Sequence, residues 1–335
     1  MPEKIRFSYL YFEITHFCNQ RCQCCYLDCG VHHQQHQLTT EEIKSIILNF
    51  KKQGGNFITL TGGEPFTRHD VFEILDYIES LGLNFLLASN TILLNEEKIK
   101  KLAGYKCLYM IHTSLLGSSA EEHQGISGRN SFDHILKSLE LFDKYQLKSN
   151  LQVTLAKDLI GRIPVIAKLL ESFSCTVKFT PVADLGIKND TEIYNRLILP
   201  ESDYANFLEL YDQVKDQYGD KIEGHNLMTA DEIKTMIDEN LAEELYSLQY
   251  PGLVVRPDGR KSFSYDLNNP ADFGSALEQI EVENDVYLAK YINCLKEVDQ
   301  KILAIAQTKT AVNYYNYQDL MMKDCFSAIL PPKKG

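Results

Sequence analysis

Five of the chain's nine cysteines fall inside residues 18–29, as Cys18, Cys22, Cys24, Cys25 and Cys29. Hydrophobic packing does not ask for that density in so short a loop, so the loop is built to hold something or to form disulfides. It follows an apolar, β-branched and aromatic run, residues 8–15, that reads as a strand ending in Thr15-His16. Whatever fold the chain adopts must present the end of its first strand as a thiol-rich loop.

A disulfide framework needs an oxidising compartment, and the opening Met1-Pro2-Glu3-Lys4 carries no signal peptide. Metal chemistry fits better. Cys18, Cys22 and Cys25 stand in a C-x3-C-x2-C spacing, which can hold three corners of an iron–sulfur cube and leave the fourth iron open to another ligand. Zinc is the rival reading, because Cys22-x2-Cys25 is followed by His32, His33 and His36.

Composition narrows the partners. The 335 residues are 44% hydrophobic and 24% charged, as in an ordinary globular chain long enough for one large domain and an appendage. A net charge of −12 argues against nucleic acid or an anionic membrane as the main partner. No apolar run approaches the roughly 20 residues that span a bilayer, so a cytoplasmic location is expected.

Strand and helix patterns alternate. Strands are expected over residues 8–15, 56–61, 83–88, 107–113, 148–155 and 175–180, separated by helical patterns. The first helix is announced by a Thr39-Thr40-Glu41-Glu42 cap and carries Ile43, Ile46, Ile47 and Phe50 before Gly54-Gly55 stops it. Six such units imply parallel βαβ connections and a partial (β/α)6 TIM-like barrel, an α/β fold with short apolar strands buried on both faces. Function is then expected at the C-terminal ends of the strands.

With the cysteine loop at the end of strand one, the chain resembles the radical SAM superfamily. That resemblance implies a 4Fe-4S cluster on Cys18, Cys22 and Cys25, with S-adenosylmethionine (SAM) chelated at the open iron. The family's aromatic before the third cysteine is here Cys24, and Tyr26 comes just after Cys25, so Cys24 could replace Cys25 as ligand. Strand two ends in Thr61-Gly62-Gly63-Glu64-Pro65, which resembles the family's GGEP turn against the SAM amino group. Consecutive glycines would let the backbone approach that ligand. Ser89-Asn90-Thr91 resembles the S/T-N-G turn, with Thr for Gly. Ser114 matches the serine of the strand-four motif that contacts SAM. In residues 123–132 the family's arginine position is held by Ser127, with Arg129 two residues on. The SAM contacts implied are thus Gly62, Gly63, Glu64, Pro65, Ser89, Asn90, Ser114 and Tyr26.

Residues 1–183 read as the core barrel and residues 184–335 as a smaller α+β extension. Residues 184–195 are a polar connector, and helices are expected over residues 202–217, 230–248 and 284–306. A hairpin is expected around Pro257-Asp258-Gly259. With Phe273-Gly274 and Leu277-Glu278 after it, this half resembles the SPASM or twitch extension of peptide-modifying radical SAM enzymes. Only Cys294 and Cys325 lie beyond Cys175, too few for an auxiliary cluster.

The resemblance implies an enzyme that cleaves SAM reductively to a 5′-deoxyadenosyl radical and takes a hydrogen atom from its substrate. A ribosomally made peptide is the first expectation for that substrate, giving a cross-link, thioether or epimer; a nucleotide, sugar or cofactor precursor is the second. An electron donor such as flavodoxin or ferredoxin is implied as partner. The alternative of another class is a non-catalytic zinc or iron–sulfur binding module.

Overall fold

The strand before the cysteine loop forms as β1, Tyr9–Glu13. From it the chain runs through α1 (Thr40–Lys52), β2 (Phe57–Thr61), α2 (Val71–Ser80), β3 (Asn84–Ala88), α3 (Glu96–Leu102) and β4 (Leu108–Leu115). Two helices, α4 (Ala120–Ser127) and α5 (Phe132–Lys144), lead to β5 (Ser149–Leu155), and α6 (Ile163–Leu169) to β6 (Thr176–Pro181). The remainder holds α7 (Thr191–Leu197), α8 (Tyr204–Tyr218), β7 (Ile222–Gly224), α9 (Ala230–Glu239), β8 (Leu253–Val255), β9 (Lys261–Ser262) and α10 (Val286–Ala306). This computed structural model describes residues 4–5, 9–25, 27, 29, 37–183, 191–239, 253–262, 276–277, 282–283, 286–309 and 311–313. Tyr26, His32, His33, His36, Phe273-Gly274, Glu278 and Cys325 lie outside them, as do residues 240–248 of an expected helix.

Local rules explain the elements. Thr39 and Glu42 close a reciprocal capping box, with Thr39 N donating to Glu42 Oε2 at 2.7 Å and Glu42 N to Thr39 Oγ1 at 3.3 Å. Ile43, Ile46, Ile47 and Phe50 of α1 are all buried, the stripe that a 3.6-residue period presents to a sheet. Helix α4 has no counterpart among the expected helices; its residues 123–127 fall in the stretch that resembles a family motif.

The six expected strands all form, and β1 through β6 pair in parallel in chain order. The sheet does not end there. Strand β7 adds to β6, and β8 adds in parallel to β1, with β9 antiparallel beyond it. Eight parallel strands and one antiparallel strand thus form a sheet that crosses residue 183, because the later half of the chain contributes to both edges. The sheet is open: β7 and β9 are its ends.

Burial of the strands corrects one expectation. One face carries Leu10, Phe12, Ile58, Leu60, Phe85, Leu87, Ile111, Leu115, Leu151, Val153, Val177 and Phe179, all buried in the common core with the helices. The other face is not apolar. Registered neighbours across it include His112, Asn150 and Thr176, then Ser114, Gln152 and Lys178. A strand with one wet face alternates, and β4 to β6 do.

Candidate functional site

Because β1 and β2 are parallel, the cysteine loop and the Gly-Gly turn leave the sheet side by side. Pairing continues past both strands: Ile14 N donates to Thr61 O at 2.9 Å, Gly63 N to Thr15 O at 2.8 Å and Glu64 N to Phe17 O at 2.7 Å. A Cβ built on Gly63 would lie 2.1 Å from the Phe17 carbonyl oxygen, and one on Gly62, at φ +130°, 2.5 Å from that of Thr15. The glycines are therefore bare so that the backbone leading into the cysteine loop can approach them. The backbone of residues 15–17 is thus a partner of this turn that the sequence did not announce.

Glu64 is fully buried and ties the next turn to this one. Its carboxylate accepts from Phe66 N at 3.0 Å, Ser89 Oγ at 2.9 Å and Asn90 N at 2.7 Å. Burial pushes its carboxyl up to about 7, against those three bonds, which favour the ionised form. Pro65 is buried at the start of the 3-10 turn Pro65–Thr67. Asn90 Nδ2 reaches back to Asn19 Oδ1 at 2.6 Å and to Cys18 Sγ at 3.8 Å. Thr91 holds φ +63°, the left-handed conformation for which glycine is the usual residue, and is fully buried. A β-branched residue there costs about 1–2 kcal/mol, so the turn is held against local preference.

The far side of the loop rests on the end of α4. Arg21 N donates to Ser127 O at 3.1 Å and Gln23 N to Ile126 O at 2.9 Å. Arg129 Nη1 donates to Asn19 O at 2.8 Å, so this arginine braces the cysteine loop. Ser127, at the family's arginine position, is fully buried; its Oγ accepts from Arg129 N and donates to Arg129 O.

The loop's thiols influence one another. Burial and then the neighbouring thiols push Cys22 up, with Cys24, Cys25 and Cys18 all contributing. Cys18 is raised by burial, with smaller contributions from Glu64 and Cys25. Cys24, which could have replaced Cys25, is pushed up to about 12 by burial and then by Cys25. Cys29 is raised by a hydrogen bond with Cys25 and then by burial. Among the described residues no group of three or more His, Cys, Asp or Glu side chains is placed to hold a metal ion. A single zinc ion needs its thiolates about 2.3 Å from one point, whereas a cubane gives each cysteine its own iron. Thiols that penalise one another's ionisation suit a cationic partner, which reverses the penalty. His16 Nε2, Asn19 Nδ2 and Gln23 Oε1 are buried beside them with no hydrogen-bond partner. Donor set and orphaned polar atoms together fit a cluster carrying a polar ligand at this lip.

Strand β8 brings its own end to the same place. Arg256 Nη1 donates to Glu13 Oε1 at 2.5 Å, and the two side chains are 5% and 2% exposed. The Pro257-Asp258-Gly259 turn therefore stands beside the strand that leads into the cysteines, where Asp258 acts electrostatically on His16. A hairpin expected in a separate extension is a direct neighbour of the site.

Ser114 is exposed on the polar face, in register with Gln152 and then with Lys178 and Gly224. Burial lowers Lys178, and Glu223 partly opposes it. Past β7, His225 Nδ1 and Asn226 Oδ1 are buried without hydrogen-bond partners. The structure thus gathers Cys18, Gly62, Gly63, Glu64, Pro65, Ser89 and Asn90 at one lip and sets Ser114 on the polar face. Asn19, Gln20, Arg256 and Lys178 escaped the sequence reading; the first two sit at positions where the cysteine spacing admits any residue.

Residues 12–159 match the family model described as "Radical SAM superfamily". The chain carries a radical SAM domain. It is 28% identical over 165 residues to the AdoMet-dependent heme synthase of Oleidesulfovibrio alaskensis, covering 48% of this chain and 42% of that protein. It is 25% identical over 178 residues to the mycofactocin maturase MftC of Mycolicibacterium smegmatis, covering 53% and 45%. The match spans less than half the length of these relatives. Its fold is similar to that of anSMEcpe with bound AdoMet, at TM-score 0.68 and 17% identity over 95% of each chain. It is also similar to Streptococcus suis SuiB bound to the precursor peptide SuiA, at TM-score 0.67 and 15% identity over 82% of this chain and 63% of that one. Among the described residues no helix is long and apolar enough to cross a membrane.

Proposed function

We propose that this chain is a radical SAM enzyme that holds one 4Fe-4S cluster on Cys18, Cys22 and Cys25 and modifies a peptide. The observation that carries the reading is the convergence of the cysteine loop with the turns after β2 and β3, all cross-bonded at one end of a parallel sheet. When bound, the cluster and SAM supply reductive cleavage to a 5′-deoxyadenosyl radical, which abstracts hydrogen from an unactivated carbon. The chain's own part is to hold the loop open on one side. Gly62 and Gly63 dock its backbone, while Glu64, Ser89 and Asn90 fix the adjoining turn. Ser114 offers an exposed hydroxyl, and Tyr26 belongs to the same set by resemblance. Residues 184–335 act as the SPASM/twitch-like extension, and an electron arrives from a small carrier such as flavodoxin or ferredoxin.

A peptide substrate is supported by the likeness to SuiB with its precursor peptide and to MftC. A small-molecule substrate is the second reading, favoured by the heme synthase relatives and by Lys178, a cation on the polar face able to meet a carboxylate. Anaerobic reconstitution tests the shared part: about four irons and four sulfides per chain are expected, and reduced protein with SAM should release 5′-deoxyadenosine. Stoichiometric zinc without sulfide would end the reading. Mass spectrometry after incubation with peptides encoded beside the gene, or with iron porphyrin precursors, then separates the two substrates.

A further inference from the structure

One buried hydrogen-bond chain runs from the end of β4 to the cysteine loop. Leu116 N donates to His123 Nδ1 at 3.2 Å, which leaves the ring proton on Nε2. That nitrogen lies 2.8 Å from Ser131 Oγ, so the serine oxygen accepts from it. Gln20 Nε2 donates to the same oxygen at 3.1 Å, and Gln20 Oε1 accepts from Cys22 Sγ at 3.6 Å. His123, Ser131 and Gln20 are 1%, 3% and 8% exposed, so water does not substitute for a missing partner. Burial alone lowers His123 to about 4, in keeping with a neutral ring.

This chain has a direction, and the direction suits a protonated Cys22. A sulfur bound to iron has released its proton to solvent and can only accept. Gln20 Oε1 would then face an anionic sulfur with nothing between them. One rotation of the amide repairs the chain throughout. Nε2 takes the place of Oε1 and donates to Sγ; Oε1 takes the place of Nε2 and accepts the Ser131 hydroxyl proton. Ser131 Oγ still accepts from His123 Nε2, whose proton the Leu116 amide keeps in place. Every donor keeps an acceptor, and no residue moves its backbone.

We infer that Gln20 is a positioning residue whose amide turns over when the cluster binds and donates an N–H···S hydrogen bond to Cys22, with Ser131 and His123 holding it in that orientation. Together with Gln20 N on Cys18 Sγ at 3.4 Å and Asn90 Nδ2 at 3.8 Å, it makes the lip a set of donors aimed at sulfur. Such bonds stabilise the more negative, reduced cluster and raise its reduction potential. Gln20 therefore sets how readily the cluster accepts the electron. The inference rests on the proposed cluster at Cys18, Cys22 and Cys25.

The test is an anaerobic redox titration of the reconstituted full chain, followed by electron paramagnetic resonance, for wild type, Gln20→Leu and Ser131→Ala. Iron and sulfide are measured on each sample. The Leu variant should keep its iron while its midpoint shifts to more negative potential; Ser131→Ala should shift the same way by less. Glutamine labelled with 15N only at the side-chain amide gives a second readout in the wild type: a nitrogen coupling to the reduced cluster, absent in Gln20→Leu. A full complement of iron with an unchanged midpoint in Gln20→Leu overturns the inference and leaves the cluster reading standing. Should Gln20→Leu hold no iron, the labelled wild type and Ser131→Ala decide: a coupling with a negative shift supports the bond, and no coupling rejects it. Wild type that binds no cluster at all rejects the underlying reading instead.

Discussion

The two walls of the polar face are built differently. Around β8, β1, β2 and β3 the framework groups are spent on the protein itself, Arg256 on Glu13, the glycines on the backbone of residues 15–17, Glu64 on three donors and Asn90 on the cysteine loop, and orphaned polar atoms lie at the loop, at His16, Asn19 and Gln23, and at Thr91 in the turn after β3. Around β6 and β7 the bonding is less complete: Asn150 Nδ2 donates to Glu223 Oε2 at 2.6 Å and to Thr176 Oγ1 at 3.0 Å, but other groups there have no such bond. Lys178, on the strand next to Glu223, is influenced by that carboxylate, and His225 Nδ1 and Asn226 Oδ1 have no hydrogen-bond partner. A wall that must hold a fixed cofactor is assembled beforehand; a wall that meets a substrate keeps unpaired groups until it arrives. On this view damage to the first wall appears as lost stability, and damage to the second as lost substrate.

The largest expected effect lies on the first wall. Arg256→Met leaves the Glu13 carboxylate buried without its partner and should cost about 3–5 kcal/mol in urea unfolding. A loss below about 1 kcal/mol would mean that the β8 hairpin is not tied to the cysteine strand. Gly63→Ala comes next. Its methyl meets the Phe17 carbonyl, and the displaced backbone should cost about 3 kcal/mol or more and reduce bound iron in the reconstituted protein. Full iron retention with SAM binding alone weakened would return the turn to the ligand.

The brace beneath the loop is open to a pH test. His123 is neutral in the fold and lowered to about 4, while an unfolded histidine takes up a proton near 6.5. A lowered folded value means that stability is complete above pH 6.5 and drains away as pH falls towards 4. The loss is about 3 kcal/mol over that window. Urea midpoints at pH 7 and pH 5 should differ in the wild type, and the difference should shrink in His123→Gln; an equal difference in both assigns the acid lability to other groups.

The smallest stability effect belongs to the second wall. Lys178→Met removes a desolvated cation and should change unfolding free energy by about 1 kcal/mol or less. SAM cleavage without substrate should stay as it was, while the rise in 5′-deoxyadenosine on adding substrate should disappear. A large destabilisation with substrate response intact would make Lys178 a structural residue and dissolve the contrast between the walls.

Much of the first wall could be read from the chain. The C-x3-C-x2-C loop, the Gly-Gly turn and Ser89-Asn90 are local signals, each within a few residues and each at the end of a strand that its own apolar pattern announces. The second wall gave no such signal. Lys178 sits in a strand whose alternation of valine, lysine and phenylalanine is equally that of a solvent-facing edge, and β7 is three residues long.

What the sequence alone determined is the set of units. Apolar periodicity, a capping box and glycine stops specify each strand and helix over distances of a few residues, and the cysteine spacing specifies a loop that can hold a cluster. Only the tertiary structure decided which units become neighbours. Parallel pairing placed β8 beside β1 across 243 residues of sequence, setting Arg256 on Glu13, and brought Ser131 to Gln20. Those contacts exist because buried charges and amides must find partners wherever the sheet leaves them, and no short-range pattern records which partner that will be.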